Sequence, residues 1–184
     1  MKKHCTEHAI LDLKEFLMNK LDKKEIIAVL FLDLQKTFDT VDHDILLKKL
    51  YHYGVRGKAL ELLSSYLQGR KQYVKGDDVE SSILNVLCGV PQGSVLGPLL
   101  FIIYINDIVT SSALDALLFA DDAVLTLSHE SPKHLEKKVN AEMKKLHSWF
   151  TANKLTLNLK KTKFMLFSKK KEKEKSKKKN SKSI

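Results

Sequence analysis

Three short, mostly apolar segments, each at or near an aspartate, constrain the fold of this chain more than any other feature. Residues 26–32 are apolar throughout and end at Asp33, while residues 114–119 and 123–127 lie on either side of Asp121 and Asp122. Such runs predict strands, the first of them buried. If the strand before Asp33 lies beside the other two, three carboxylates meet at one end of a sheet.

The remaining pattern predicts helices around that sheet. An amphipathic helix is expected at residues 8–20, two shorter helices at about 42–53 and 58–67, an apolar helix after the glycine-spaced loop 89–97, and a long helix over about 131–150. A hairpin is expected at 71–87, and a last pair of strands at 155–157 and 164–167. This order is typical of an α+β fold, an antiparallel sheet with helices packed on one face.

Length and cysteine usage narrow the class of protein. A chain of 184 residues can form one domain with a real core. Its two cysteines, Cys5 and Cys88, lie far apart without metal-ligand spacing, so neither disulfides nor zinc are expected. The longest apolar run, residues 95–105, is shorter than the roughly 20 residues that cross a bilayer. We expect a soluble intracellular protein of the nucleus or cytoplasm, with no membrane partner.

The net charge of +10 is concentrated at one end of the chain. Residues 168–184 contain nine lysines and two glutamates, which accounts for +7. We expect residues 1–167 to form the folded domain and residues 168–184 to be a disordered lysine-rich tail. A solvated charge run, a nuclear import signal and a nonspecific phosphate contact all fit this tail.

The aspartates have two interpretations when only their residue types and spacing are considered. A strand-terminal Asp33 is ordinarily a turn or cap former, and Asp121-Asp122 between strands is ordinarily a tight turn. Adjacent carboxylates repel each other, however, and a cation offsets that repulsion. Three converging carboxylates suit Mg²⁺, or Mn²⁺ in its place, and two such ions about 3.5 to 4 Å apart promote phosphoryl transfer.

Four segments resemble a known family in order and in spacing. Phe31-Leu-Asp-Leu-Gln-Lys-Thr-Phe-Asp39, followed by Thr-Val-Asp-His, resembles the first palm motif of reverse transcriptases, especially those of non-LTR (LINE-class) retrotransposons. Gly89-Val-Pro-Gln-Gly-Ser-Val-Leu-Gly-Pro98 resembles the second motif, which is the most specific. Phe119-Ala-Asp-Asp122 resembles the third and Leu157-Asn-Leu-Lys-Lys-Thr162 the fourth. The resemblance covers residues 4–167.

The resemblance implies a polymerase palm that extends a DNA primer with dNTPs on an RNA template. It assigns two metal ions to Asp33, Asp121 and Asp122, and a proton-donor role toward pyrophosphate to Lys161. It makes Phe38 the gate that excludes a ribose 2′-hydroxyl. Four further positions are implied in nucleotide binding: Lys36, Thr37, Gln92 and Gly93.

Simpler interpretations accompany several of these assignments. Phe38 can be an ordinary core aromatic, and the glycines near Gln92 can form a plain loop-to-helix turn. Lys161 can be a solvated charge. Arg70 and Lys71, just after a predicted helix end, fit either a contact with nucleic-acid backbone or a plain surface.

The sequence also departs from the family pattern. From the resemblance we expect this chain to contain only a remnant of the fingers and neither a thumb nor an endonuclease segment. Gln35 and Thr37 replace smaller residues of the first motif. Because affinity for a duplex comes from many phosphate contacts, we expect weak or absent synthesis from this chain alone. The alternative is a non-catalytic nucleic-acid-binding remnant of a polymerase. A nucleotidyl cyclase is a third alternative, which the second motif and Phe38 disfavour.

Overall fold

The computed structural model describes residues 6–77, 79–119 and 122–169. The elements, in chain order, are α1 (Thr6–Asp22), β1 (Ile26–Leu32), α2 (His43–His52), α3 (Gly57–Leu67), β2 (Lys71–Gln72), β3 (Leu84–Asn85), α4 (Leu96–Ile105), α5 (Ile108–Ser111), β4 (Asp115–Phe119), β5 (Asp122–His129), α6 (Pro132–Ala152) and β6 (Lys163–Phe167). Asp121 and the lysine-rich residues 170–184 lie outside the described part of the chain.

The centre of the fold is an antiparallel sheet with strand order β4-β5-β1-β6. Strand β1 is paired on both edges, with β5 and with β6. Ile27, Ala28 and Val29 of β1 are completely buried, which explains why this strand is apolar at every position instead of alternating. The predicted α+β class and antiparallel sheet are confirmed.

The two faces of the sheet carry different helices, whereas the sequence pattern predicted helices on one face. Helix α6 contacts β1 and β5 on the face that contains Ala28 and Leu30, which belong to the main hydrophobic core. Helix α1 lies on the opposite face, where Leu13 and Phe16 line a small cavity with Val124. Each fully buried Leu, Ile or Phe side chain in this core stabilises the fold by about 1.5–3 kcal/mol.

Helix boundaries follow the local chemistry of the chain. Asp42 is the N-cap of α2, and its side chain accepts a hydrogen bond from the Ile45 N–H at 3.0 Å. The chain leaves α2 through Gly54, whose φ is +97°. Ser131 is the N-cap residue of α6, but its hydroxyl lies against the His134 ring at 3.1 Å and makes no side-chain cap bond.

The predicted strand pair at 155–157 and 164–167 is wrong in its pairing. Residues 163–167 form β6, which pairs with β1. Residues 155–157 contribute a single bridge, from Leu157 to Leu34, and the Gln35 N–H donates to the Thr156 carbonyl at 2.9 Å. Both segments therefore pair with β1 and its extension instead of with each other, because β1 offers a free edge that local patterning does not reveal. In the described residues 71–77 and 79–87, the predicted hairpin has the two-residue strands β2 and β3 and one further bridge, between Lys75 and Glu80.

A buried tyrosine joins three distant parts of the chain. Tyr104 in α4 is completely buried, and its hydroxyl donates to the Asn153 carbonyl at 2.6 Å and accepts from the Asp42 N–H at 3.4 Å. Burial raises the pKa of Tyr104 to about 12. The hydroxyl therefore stays protonated and links the end of α6 to the start of α2.

Tyr104→Phe is expected to lower the free energy of unfolding by about 1–3 kcal/mol, because it leaves the buried Asn153 carbonyl without its donor. Urea denaturation measures this difference. Tyr51→Phe is the matched control, since Tyr51 is half exposed and should change little. Equal effects of the two substitutions would contradict the bridging role of the Tyr104 hydroxyl.

Candidate active site

Asp33 follows β1 directly and stands at one end of the sheet. It is half-buried, between the buried Leu32 and Leu34. Leu32 and Ala123 are the last pair in the register of β1 and β5, so their chain neighbours Asp33 and Asp122 follow at the same end of the sheet. The side chain of Asp122 and the whole of Asp121 lie outside the described residues. At the level of the backbone, the first motif and the start of β5 meet at one sheet end.

The loop of the fourth motif holds the backbone of Asp33 on both sides. The Asp33 N–H donates to Thr162 Oγ1 at 3.5 Å, and its carbonyl accepts from the Asn158 N–H at 2.8 Å. Lys161 lies in the turn between these two residues, where its N–H donates to the Asn158 carbonyl at 3.1 Å, and it is exposed. The first and fourth motifs are therefore neighbours, although more than a hundred residues separate them.

The first and second motifs are joined by a backbone ladder. The Gly89 N–H donates to the Val41 carbonyl and the Val90 N–H to the Phe38 carbonyl, each at 2.7 Å. Gly89 has φ +90°, and a Cβ placed there would lie 3.0 Å from the backbone of Phe38 and Asp39. Only glycine allows so close an approach at this φ.

A tight turn after Asp33 presents the predicted nucleotide-binding residues. Lys36 has φ +46°, uncommon for a residue with a side chain, and its carbonyl accepts from the Asp39 N–H at 2.8 Å. Thr37 is buried and its hydroxyl donates to the Leu34 carbonyl at 3.3 Å, which gives that side chain a structural contact. The ring of Phe38 is partly buried, with its centroid 5.2 Å from that of Phe101.

A groove of about 720 Å³ runs beside this turn and collects four of the predicted residues: Lys36, Arg70, Lys71 and Gln92. Its other walls come from the strand region of β2 and β3 and from the second motif. Among the described residues that line it, three are basic and one, Asp39, is acidic. We call it the basic groove. Asp33, Phe38, Gly93 and Lys161 are not among its lining residues.

Asp39 is the last residue of the first motif, and the sequence alone predicts no role for it. In the structure Gln92 Nε2 donates to Asp39 Oδ1 at 2.7 Å. A contact between residues so far apart in the chain has no local signal. The position of Asp39 inside the first motif is the one sequence feature that points to it.

Asp42, three residues further along, is held as a charged group. Burial by itself raises the pKa of Asp42, but hydrogen bonds from Lys154 at 2.6 Å and from the Ile45 N–H, together with the Lys154 charge, keep it below its usual value. A carboxyl with a lowered pKa in the folded state contributes stability that is present above its unfolded pKa of about 4 and is lost as the pH falls through the folded pKa.

We therefore expect the stability difference between the wild type and Asp42→Asn to be constant above about pH 5 and to shrink below about pH 4. Asn retains the helix N-cap, so the substitution isolates the charge. Thermal unfolding between pH 3 and pH 7 measures the effect, with the exposed Asp115→Asn as control. A difference that stays constant throughout this range would contradict the assignment.

The described residues contain no group of three or more His, Cys, Asp or Glu side chains that could hold a metal ion. Of the three predicted metal ligands, only the side chain of Asp33 belongs to that part of the chain. Within the same part, no helix has the length and apolar character needed to span a membrane.

Comparison with known proteins gives consistent matches. The family model described as "Reverse transcriptase (RNA-dependent DNA polymerase)" matches residues 2–182. An RNA-directed DNA polymerase from the mobile element jockey of Drosophila funebris is 37% identical over 134 residues, which cover 68% of this chain and 14% of that protein. A probable RNA-directed DNA polymerase from transposon BS of Drosophila melanogaster is 32% identical over 173 residues, covering 86% of this chain and 18% of that protein.

Solved structures show the same fold at low sequence identity. Apo telomerase from Candida tropicalis, truncated from its C-terminal domain, superposes with a TM-score of 0.68 at 15% identity and covers 92% of this chain and 37% of that one. Telomerase from Candida tropicalis in complex with a fragment of telomeric RNA gives a TM-score of 0.66 at 16% identity, covering 89% of this chain and 30% of that one. The chain thus spans less than a fifth of the length of the two curated relatives above.

Proposed function

The chain belongs to the reverse transcriptase family, and from that premise we propose that it is the catalytic palm of an RNA-directed DNA polymerase of the retrotransposon type. The proposed reaction attaches a deoxynucleotide to the 3′-hydroxyl of a primer on an RNA template and releases pyrophosphate. The fold similarity to telomerase supports the palm architecture, and the jockey and BS relatives support the substrate class.

The single observation that carries this proposal furthest is the register between β1 and β5. It ends at the pair Leu32 and Ala123, whose chain neighbours are Asp33 and Asp122, and the Asn158 and Thr162 contacts hold the backbone of Asp33. The half-buried Asp33 carboxylate is a hard oxygen donor of the kind that Mg²⁺ and Mn²⁺ prefer. Asp33, Asp121 and Asp122 would hold these ions, which when bound supply charge neutralisation for an in-line displacement at phosphorus.

The basic groove supports a role in binding anions. Lys36, Arg70 and Lys71 line it, and these side chains attract polyphosphate and nucleic-acid backbone. We propose that Lys36 and the backbone N–H groups of residues 36–38 bind the triphosphate, while Arg70 and Lys71 contact the nucleic-acid backbone.

The remaining roles concern groups at the rim of the groove and in the fourth motif. Gln92 would contact the incoming nucleotide, and Gly93, with φ +77°, would let the backbone approach it closely. Lys161 lies exposed in the turn that holds Asp33 and would donate a proton to the pyrophosphate as it leaves.

Phe38→Ala is expected to reduce the preference for dNTPs over NTPs by up to about a hundredfold, because a packed ring rejects an added hydroxyl only by sterics. Incorporation of paired dNTP and NTP substrates measures the ratio. Phe101→Leu is the control: it disturbs the packing against Phe38 but leaves the Phe38 ring in place. An unchanged sugar preference in Phe38→Ala would contradict the proposal that Phe38 excludes the ribose 2′-hydroxyl. Phe38 would then be an ordinary core aromatic.

Primer extension tests the proposed function. The wild-type chain is given RNA and DNA templates, an annealed DNA primer, dNTPs and Mg²⁺, with Asp121→Asn as the matched inactive control. Weak incorporation on RNA that Asp121→Asn abolishes is the expected result. Template binding in both proteins without incorporation in either would instead support a non-catalytic nucleic-acid-binding role.

A further inference from the structure

The basic groove contains a carboxylate that its proposed ligand does not explain. Asp39 is the acidic side chain among three basic ones that line the groove in the described part of the chain. A negative charge there opposes the attraction of an anionic ligand. Yet Asp39 makes its side-chain hydrogen bond with a neutral amide, that of Gln92, at 2.7 Å. Attraction of an anionic ligand therefore does not explain why an acidic side chain lines this groove.

We propose that Asp39 is a positioning residue that fixes the orientation of the Gln92 amide, an inference that rests on the proposed function. An ionised carboxylate can only accept hydrogen bonds, so the nitrogen end of the amide must face Asp39. The oxygen Oε1 is then directed away from that bond and is available to the ligand. Gln92 thus presents an acceptor to a hydrogen-bond donor of the bound nucleotide, and Asp39 prevents the amide from turning over.

The backbone of Asp39 is fixed by the structure around it. Its N–H donates to the Lys36 carbonyl at 2.8 Å. Its Cα and carbonyl oxygen lie 3.0 Å from the position that a Gly89 Cβ would take. The ladder bonds from Gly89 and Val90 close on either side of it, at 2.7 Å each. The backbone of Asp39 is therefore fixed, while the side chain of Gln92 that it binds is flexible.

The backbone on the Gln92 side is also constrained. Pro91 precedes Gln92 and restricts its own φ, and the Pro91 carbonyl accepts from the Ser94 hydroxyl at 2.7 Å. Ser94 Oγ in turn accepts from the Gly97 N–H at 2.9 Å. The backbone is therefore fixed both at Asp39 and next to Gln92. The hydrogen bond between them restricts the side-chain torsions of Gln92.

The solvent exposure of Asp39 and Gln92 distinguishes a positioning role of their hydrogen bond from a structural one. Asp39 and Gln92 are both exposed, and a single hydrogen bond in water contributes little to the stability of a fold. Loss of this bond should leave the melting temperature unchanged. An orientation effect should appear in the binding of the nucleotide.

The test uses four variants of the full chain: Asp39→Ala, Gln92→Glu, the double variant Asp39→Asn with Gln92→Glu, and the control Asp115→Asn. Gln92→Glu sets two carboxylates against each other. The double variant restores a donor–acceptor pair with the same total charge as the wild type, and again leaves an oxygen of residue 92 to the ligand. Asp115 is an exposed carboxylate at the start of β4 and does not line the groove.

Calorimetric titration with dTTP and Mg²⁺ measures affinity. We expect Asp39→Ala and Gln92→Glu each to weaken binding about tenfold, and the double variant to recover most of that loss. In ligand-free NMR, the side-chain amide protons of Gln92, assigned by their loss in Gln92→Glu, should shift in Asp39→Ala and stay in place in Asp115→Asn.

The outcomes separate this inference from the function on which it rests. A wild type that binds dTTP while Asp39→Ala binds it equally well would overturn the positioning role and leave the proposed function intact. Failure of the double variant to recover affinity, or unmoved amide protons in Asp39→Ala, would do the same. A wild type that binds no dTTP would overturn the proposed function and the positioning role together.

Discussion

Asp33→Asn is expected to reduce deoxynucleotide incorporation by about a thousandfold while the fold stays intact. Asn is nearly isosteric with Asp, and the contacts that hold residue 33 use its backbone N–H and carbonyl, which Asn retains. What the substitution removes is the negative charge and one of the hard oxygen donors that divalent ions need. Single-turnover primer extension measures the loss, and thermal unfolding measures the stability.

Asp115→Asn is the matched control for this charge change, because Asp115 is an exposed carboxylate in the same sheet and opposite Thr126, away from the end where Asp33 lies. It should retain wild-type incorporation. Incorporation by Asp33→Asn within a few-fold of the wild type would remove Asp33 from the reaction. A large drop in melting temperature would show that its role is structural.

Gly89→Ala is expected to lower the free energy of unfolding by about 3 kcal/mol. The left-handed conformation at φ +90° contributes about 1–2 kcal/mol of this loss. The new Cβ would also lie 3.0 Å from three backbone atoms of Phe38 and Asp39, and such overpacking costs about 1–3 kcal/mol. Backbone atoms held by two ladder bonds cannot move away as a flexible side chain would.

Gly93→Ala separates the two contributions. Gly93 also has a positive φ, +77°, but no heavy atom lies within 4 Å of the position its Cβ would take. It should therefore lose only the conformational part, about 1–2 kcal/mol. Urea denaturation of both variants gives the comparison. Equal losses would mean that the close approach of the first and second motifs does not strain the chain at Gly89.

Local signals predicted the elements of the fold well. Each of these signals acts on residues close to it in the chain: the apolar run forms β1, Asp42 caps α2, and Gly54 ends α2. Periodicity and capping rules therefore identify them. The pairing of residues 155–157 and 163–167 could not be found in that way. Which edge of β1 accepts each segment depends on the assembled sheet, and the bridge from Leu157 to Leu34 joins residues far apart in the chain.

The same distinction between local and tertiary signals applies to the candidate site. The residues that belong to contiguous motifs, such as Asp33 and Gln92, could be nominated from the sequence. The sequence could not predict the hydrogen bond from Gln92 to Asp39, or the hydrogen bonds of Asn158 and Thr162 with the backbone of Asp33. Each of these bonds joins separate motifs through tertiary contacts. A motif identifies the residue types that the chemistry needs. It does not show which neighbours hold them in place.

The proposed reaction requires that Asp33 share a divalent-ion site with the aspartates at the start of β5. Mn²⁺ titration of the ¹⁵N-labelled chain tests it directly, because the paramagnetic ion broadens amide signals near its binding site. We predict that the signals of Asp33, Asp122 and Thr162 broaden together at the lowest Mn²⁺ concentrations, and that Asp33→Asn weakens this effect. Broadening around Asp122 that leaves the Asp33 signal sharp would contradict the shared site and the polymerase mechanism that depends on it.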